Sequence, residues 1–193
     1  IHLGEELSSI RWPAFYLDFE TLNVAIPMYN GNYPYEQVLT QYSIHKVDSS
    51  SREVDYKAYL AADPTKDCRR ELAEKLIADL NGDGSIIVYA NFEKLRIQEL
   101  VQMFPDLSTE LEKIRKRLVD LEKIIKESYY HLDFRGSFSI KSVLPALVPD
   151  LSYDDLEIKN GTIAVREFLK MARNECTAQE QERIRNDLLQ YCK

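Results

Sequence analysis

Three cysteines in 193 residues, Cys68, Cys176 and Cys192, are too few and too far apart to staple a fold, and their number is odd. A disulfide scaffold is therefore excluded, and a reduced, cytoplasmic setting is expected. No C-x-x-C pair occurs, and His2, His45 and His131 stand at no helical spacing from one another, which argues against a structural zinc site or zinc-hydrolase chemistry. Glycine is scarce at six residues, so the chain is neither collagen-like nor linker-rich. No apolar run approaches the roughly 20 residues of a membrane-spanning helix, so no membrane role is expected. Residues 1–10 carry Glu5 and Glu6 and lack the basic-then-apolar layout of a signal peptide. Positive charge is also in deficit: a net charge of -7 disfavours a protein that coats duplex nucleic acid through its phosphates. An acidic chain can still act on phosphates when carboxylate-held metal ions supply the positive charge.

What is present is a composition of 45% hydrophobic, 30% charged and 10% aromatic residues, enough in 193 residues to bury one domain core. Apolar alternation and β-branched or aromatic content predict strands at 14–19, 38–47 and 54–60, with a loop at 23–35 and a turn at 49–51. Short connections make these an antiparallel meander. The period then changes. Cys68, Leu72, Leu76 and Leu80 form a stripe that predicts a helix over 67–80, stopped by Asn81-Gly82-Asp83-Gly84. Residues 85–90 read as a strand buried on both faces, and 92–104 as a helix ended before Pro105. Leu107, Leu111, Ile114, Leu118, Leu121 and Ile125 recur at steps of four and three and predict one long helix over 107–130, packed on the sheet or, alternatively, forming a dimer seam. Residues 132–134 read as a short fifth strand and 138–147 as a short helix. An irregular connection follows at 151–156, then helices at 164–172 and 177–191.

The sharpest local feature is Tyr16-Leu17-Asp18-Phe19-Glu20-Thr21. Residues two apart on a strand share a face, so Asp18 and Glu20 point together from the end of an apolar strand. Burying acids is costly unless a cation binds them, and oxygen ligands suit a divalent ion. The alternative is a strand-end pair facing water. Asp120-Leu121-Glu122 and Asp155-Leu156-Glu157 repeat the spacing, but the former falls on the long predicted helix, where it splays side chains apart. A second feature, Val88-Tyr89-Ala90-Asn91-Phe92-Glu93-Lys94, leaves a strand and opens a helix, so the helix dipole favours Glu93 whatever its role. Lys94 and Arg96 follow, within reach of a phosphate or simply solvated. Lys113, Arg115, Lys116 and Arg117 form a basic cluster, read as a solvated helix face or a contact for a nucleic-acid strand. The third feature, Leu188-Leu189-Gln190-Tyr191-Cys192-Lys193, is on its own a helix end with inward leucines.

Together these residues resemble the DEDD superfamily of 3′–5′ exonucleases, in which three separated motifs on a ribonuclease-H-like sheet supply four acidic ligands. Asp18-Phe19-Glu20-Thr21 is similar to the first motif. Asn91-Phe92-Glu93 is similar to the second, with Glu in place of the usual Asp and a shorter gap between Asn and Phe. Tyr191-Cys192-Lys193 is similar to the start of the third in the tyrosine-bearing subgroup, which places the last acid at position 195, beyond the 193 residues. A closer resemblance, to a bacterial domain-of-unknown-function family classed with these exonucleases, rests on several further segments. They are Tyr129-Tyr130-His131, the stretch from Asp133 through Gly136 to Lys141, Val143-Leu144-Pro145, and Leu156-Glu157-Ile158-Lys159-Asn160-Gly161. In these segments Gly136, Pro145 and Gly161 are expected to fix turns.

The resemblance implies one α/β, ribonuclease-H-like domain over 1–193. Its central mixed sheet would hold three antiparallel strands plus one or two parallel ones, flanked by helices, and it would be a fragment of a longer protein truncated before its last acid. It implies Asp18, Glu20 and Glu93 as ligands of two Mg²⁺ or Mn²⁺ ions, roughly 3.5–4 Å apart in the complete site, and Tyr191 as the residue that orients the attacking water. Thr21 and Leu22 would lie under the terminal nucleotide, Asn91 would be a further substrate-binding residue, and Lys141 would touch a phosphate. The implied partners are a DNA or RNA 3′ end and another nuclease-like region on the same natural chain. A module of the same fold that binds nucleic acid or a protein without cutting is the alternative, supported by the altered second motif, the acidic charge and the long heptad-like helix expected over 107–130.

Overall fold

The computed structural model describes residues 3–49, 54–150 and 161–192. Most of the turn expected at 49–51 and all of the connection expected at 151–156 lie outside these residues. Five strands, β1 (Ala14–Leu22), β2 (Val38–Val47), β3 (Val54–Leu60), β4 (Ile86–Val88) and β5 (Leu118–Asp120), form one mixed sheet in the order β3-β2-β1-β4-β5. The first three make the expected antiparallel meander. The other two add in parallel beyond β1, with Phe15 opposite Ile86 and Val88 opposite Asp120. The helices are α1 (Leu3–Ser8), α2 (Arg69–Asp79), α3 (Phe92–Met103), α4 (Ser108–Lys116), α5 (Leu121–Ser128), α6 (Ile140–Leu147), α7 (Gly161–Ala172) and α8 (Ala178–Tyr191). Among the described residues no helix is long and apolar enough to cross a membrane.

β1 sets the two faces of the sheet. Phe15, Leu17 and Phe19 are buried, whereas Tyr16 and Asp18 are exposed and Glu20 half-buried. Tyr42 lies opposite Phe19 and donates its hydroxyl to Asp79 of α2 at 2.7 Å, which identifies the Phe19 side as the α2 side. Leu72 and Leu76 of α2, Ile97 and Leu100 of α3, and Leu111 and Ile114 of α4 build the core. Gln41 lies opposite Glu20 and donates Nε2 to the Leu188 carbonyl at 2.8 Å, so the end of α8 covers the carboxylate side. With helices on both faces, Gln41 and Ser43 are as buried as Tyr42 and Ile44, although they alternate with them along β2. Gly84, at φ +109°, has the Pro13 carbonyl where a Cβ would stand, so only glycine fits the turn into β4.

Several expectations are corrected. The strand read at 14–19 runs to Leu22 with a register shift between Glu20 and Thr21, so the acid pair sits within a strand and not at its end. The strand read at 85–90 is confined to Ile86–Val88, because Ala90 at φ 71° turns the chain away. The single helix expected over 107–130 is instead α4, β5 and α5. Its leucine spacing is helical, but β4 would otherwise leave buried edge groups unpaired, and Leu118 to Asp120 pair with it. Arg117 fixes the break: Nη1 donates to the Leu80 carbonyl at 2.7 Å, Nε to the Gly84 carbonyl at 2.8 Å, and the guanidinium lies over the Phe15 ring. The fifth strand expected at 132–134 is a single turn of 3-10 helix, Leu132–Phe134, closed by left-handed Arg135. There Leu132 is 84% exposed and Phe134 is buried in a second apolar cluster with Ile125 and Val143. Pro145 lies inside α6 and Gly161 opens α7, so neither forms a turn, while Gly136 at φ +80° does.

Candidate metal centre

The centre starts from a property of extended chain. Asp18 and Glu20 project from one side of β1, and Cys192, the residue that caps α8, meets them there. One carboxylate oxygen from each acid and the Cys192 sulfur all lie within 4.8 Å of one another. Two bonds to backbone carbonyls hold the end of α8 in place, Gln41 Nε2 to Leu188 at 2.8 Å and the Tyr56 hydroxyl to Leu189 at 3.4 Å. Glu20 lines a small notch with Gln41, Ala164, Phe168 and Leu188, and the first residue of α7, Gly161, comes close to its carboxylate.

Glu93 arrives from β4. The chain leaves that strand through Ala90 and enters α3, so Glu93 falls in the first turn and is only 4% exposed. Its Oε2 is buried without a hydrogen-bond partner. Desolvation raises its pKa to about 8, and the charges of Asp18, Asp120 and Glu20 add to the effect while its own backbone N–H opposes it. Glu20 is likewise raised to about 8, by desolvation and then by Asp18. Asp18 keeps an open edge toward solvent, yet the protein around it displaces enough water to raise its pKa to about 6 against the backbone hydrogen bond at Phe19. Burial, then the charges of Asp18 and Glu20, push the Cys192 thiol up as well.

Sequence reasoning passed over one contributor. Asp120 ends β5 and caps α5, its Oδ1 accepting from the N–H of Lys123 and of Ala90, each at 3.1 Å. It thereby ties the left-handed residue before Asn91-Phe92-Glu93 to the neighbouring strand. The detectable signal was an Asp immediately ahead of Leu121-Glu122-Lys123-Ile124, an N-cap signature hidden by the longer leucine periodicity.

Of the remaining expected site residues, Thr21 and Leu22 line the notch with Glu20 and Tyr191 directly precedes Cys192, whereas Asn91 and Lys141 are exposed. Tyr191 closes α8, partly buried against the main core. Thr21 donates its hydroxyl to Gln37 Oε1 at 2.5 Å, and Leu22 is buried in the core at the rim of the Glu20 notch. Asn91 is exposed and makes no side-chain cap bond to α3. Lys141 is exposed on α6, whose Val143 joins the second cluster. The Tyr89 hydroxyl, donating to the Phe138 carbonyl at 2.6 Å, links that cluster to the end of β4.

The expected basic contacts change most. Lys94 is exposed, whereas Arg96 is buried over the Phe92 ring with Nη2 2.6 Å from Glu99. It lines a cavity of about 290 Å³ with Glu36 and Arg69, which are themselves ion-paired at 2.6 Å. Lys113 and Arg115 pair with Glu110 and Glu112 and Arg117 is spent on backbone carbonyls, which leaves exposed Lys116 as the member of the cluster at 113–117 without such a pairing among the described residues.

Comparison with known proteins fits the chemistry-bearing part of the chain. Residues 15–139 match the family model described as Domain of unknown function (DUF2779), a span that holds Asp18, Glu20, Glu93 and Asp120. The chain is similar to two bacterial proteins. It is 27% identical over 197 residues to the uncharacterized protein UU173 of Ureaplasma parvum and 27% identical over 204 residues to the uncharacterized protein MG366 of Mycoplasma genitalium. Each alignment covers 92% of this chain and 29% of the relative, so the chain spans less than a third of their length. No solved structure matches it. With the match running from β1 to the residue that precedes α6, the chain belongs to the bacterial family DUF2779, a domain of unknown function.

Proposed function

We propose that this chain is a metal-dependent 3′–5′ exonuclease-type domain of the tyrosine-bearing DEDD kind, hydrolysing phosphodiesters of DNA or RNA. The observation that carries the reading is the acid cluster: Asp18 and Glu20 converge with Cys192, and Glu93, outside that 4.8 Å group but near enough for the charges of Asp18 and Glu20 to act on it, is buried with an unsatisfied oxygen. Such a group is costly unless a cation or proton compensates it. The sheet supports the same reading, since an antiparallel β3-β2-β1 meander extended by parallel β4 and β5 has the strand order of a ribonuclease-H-like domain.

The donor set fits a hard divalent ion, because carboxylate oxygens on a strand and on a helix first turn are hard donors held by rigid elements. Asp18, Glu20 and Glu93 would hold Mg²⁺ or Mn²⁺, and the acid that the resemblance places at position 195 would complete the set. Bound there, the ions would supply Lewis acidity toward water and the leaving 3′ oxygen. The open edge of Asp18 gives the side from which a phosphodiester approaches. Lys94, exposed next to Glu93, is the free cation nearest in sequence for a phosphate. Tyr191 would orient water through its hydroxyl, in line with the resemblance. Glu at position 93 carries one methylene more than the family's Asp, so its buried placement sets how well that ligand reaches.

A second reading, a binding module of the same fold that recognises a protein, is favoured by one observation. Tyr130, Leu132, Leu147 and Val148 are exposed around the second apolar cluster. A 3′-labelled single strand separates the two. Incubated with the chain extended through position 195, it shortens one nucleotide at a time, only with Mn²⁺ or Mg²⁺. Asp18→Asn slows this by at least about a hundredfold, the scale of losing a charged group from a preorganised site. A strand that is bound yet stays full length would replace the nuclease with the binding module.

A further inference from the structure

We infer that Cys192 makes the carboxylate pair of β1 a thiophilic metal site, in which Asp18, Glu20 and the Cys192 sulfur together bind an ion of the Zn²⁺ class in preference to Mg²⁺ or Mn²⁺. The inference rests on the metal-centre reading above and concerns which ion that centre selects.

The geometry is that of a ligand set and not of ordinary core packing. Cys68, the other buried cysteine, donates its thiol to the Leu39 carbonyl at 3.5 Å among apolar neighbours. Cys192 is 7% exposed but turns its sulfur toward two carboxylates, all three ligand atoms lying within 4.8 Å. Zinc ligands stand about 2.0–2.3 Å from the ion, hence roughly 3.5 Å from one another in a tetrahedron. Closing the set therefore takes about an ångström of side-chain movement. The backbone under the sulfur is pinned: the Cys192 N–H donates to the Leu188 carbonyl at 3.4 Å, and that carbonyl also accepts from Gln41. β1 fixes the two acids from below.

A second observation points to a cation from another element. Glu93 Oε2, in a side chain more than nine-tenths buried, has no hydrogen-bond partner, and its helix starts just past the end of β4, the strand that pairs in parallel with β1. A set of three carboxylates would prefer Mg²⁺, Mn²⁺ or Ca²⁺, but a thiolate shifts the order toward Zn²⁺ and its congeners. Binding forms a metal–sulfur bond and releases the thiol proton to solvent, with no change of oxidation state. The ion chosen thus becomes a control on the site: Zn²⁺ occupies the acids that Mn²⁺ would otherwise use.

The test is a titration of the 193-residue chain with Cd²⁺, read by the ultraviolet sulfur-to-cadmium charge-transfer band, with the free Mn²⁺ signal followed by electron paramagnetic resonance. The band should saturate at one Cd²⁺ per chain, disappear in Cys192→Ser and persist in Cys176→Ser. Asp18→Asn, on an exposed strand position, should weaken Cd²⁺ at least roughly tenfold and guards against misfolding of the cysteine variant. Zn²⁺ should release bound Mn²⁺ from the native chain. No band, or a band that survives Cys192→Ser, overturns the inference. If Mn²⁺ still binds through Asp18 in that case, the acid site stands without its sulfur ligand. If neither ion binds, both the inference and the metal-centre reading fall.

Discussion

Glu93 is the residue on which structure and chemistry press hardest, because a helix first turn favours its charge while burial opposes it. Burial wins: its pKa rises to about 8, from an ordinary value near 4.5. The sign of the linkage follows. A carboxyl that is more basic folded than unfolded adds stability that is fully present below its ordinary pKa and is lost as pH rises through the folded value. Glu20 behaves alike, and Asp18 does so over a lower window ending near 6. Without metal, the melting temperature should therefore fall between about pH 4.5 and pH 8. Glu93→Gln, which removes the charge and keeps the shape, should flatten the upper part of that fall while weakening the response to Mn²⁺. A thermal series at pH 5 and pH 8, with and without Mn²⁺, reads both effects. An equally steep fall in the variant would show that Glu93 is not the buried acid responsible. At this scale the sequence was informative about Asp18 and Glu20, because strand period alone puts them on one face. It was less so about Cys192, whose approach to them depends on Gln41 and Tyr56 holding α8 from two other strands.

Among elements, the short β5 and its cap decide how Glu93 is presented. One oxygen of Asp120 serves both the first turn of α5 and the N–H of Ala90 at φ 71°. An L-residue in that region costs roughly 1–2 kcal/mol, so the turn persists because its surroundings hold it. Asp120→Ala removes the cap and the tie, and should cost about 1–3 kcal/mol in urea unfolding. It should also weaken Mn²⁺ binding, although Asp120 is not one of the proposed ligands. Asp120→Asn keeps the acceptor and should restore most of both. Equal losses in the two variants would make Asp120's charge, and not its hydrogen bonds, the feature that matters. The sequence misled here for a physical reason. The leucine repeat over 107–130 is truly helical in spacing, and α4 and α5 both use it. What local pattern does not encode is that β4 has an open edge, and that Arg117 reaches back to Leu80 and Gly84 to break the helix there.

For the whole molecule, the legible part was what repeats locally: the meander, the amphipathic α2, the helical pairs at the end of the chain and the acid pair within β1. The hidden part was what distant segments do to one another. Gln41, a polar residue in a strand, is fully buried because α8 lies on it, and Lys113, Arg115 and Arg117, which suggested a basic helix face, are spent on Glu110, Glu112 and backbone carbonyls. The fold thus gathers acids from β1 and the start of α3, an arrangement whose repulsion bound protons relieve at neutral pH and a bound cation relieves once pH reaches the raised pKa values near 8. Mn²⁺ binding measured through the melting temperature at pH 8 tests this most directly, since an ion that binds the folded state alone must raise it. The melting temperature should rise clearly at millimolar Mn²⁺, and the rise should be abolished in Asp18→Asn and reduced in Glu93→Gln. An unchanged melting temperature in the native chain, or the same rise in Asp18→Asn, would contradict it.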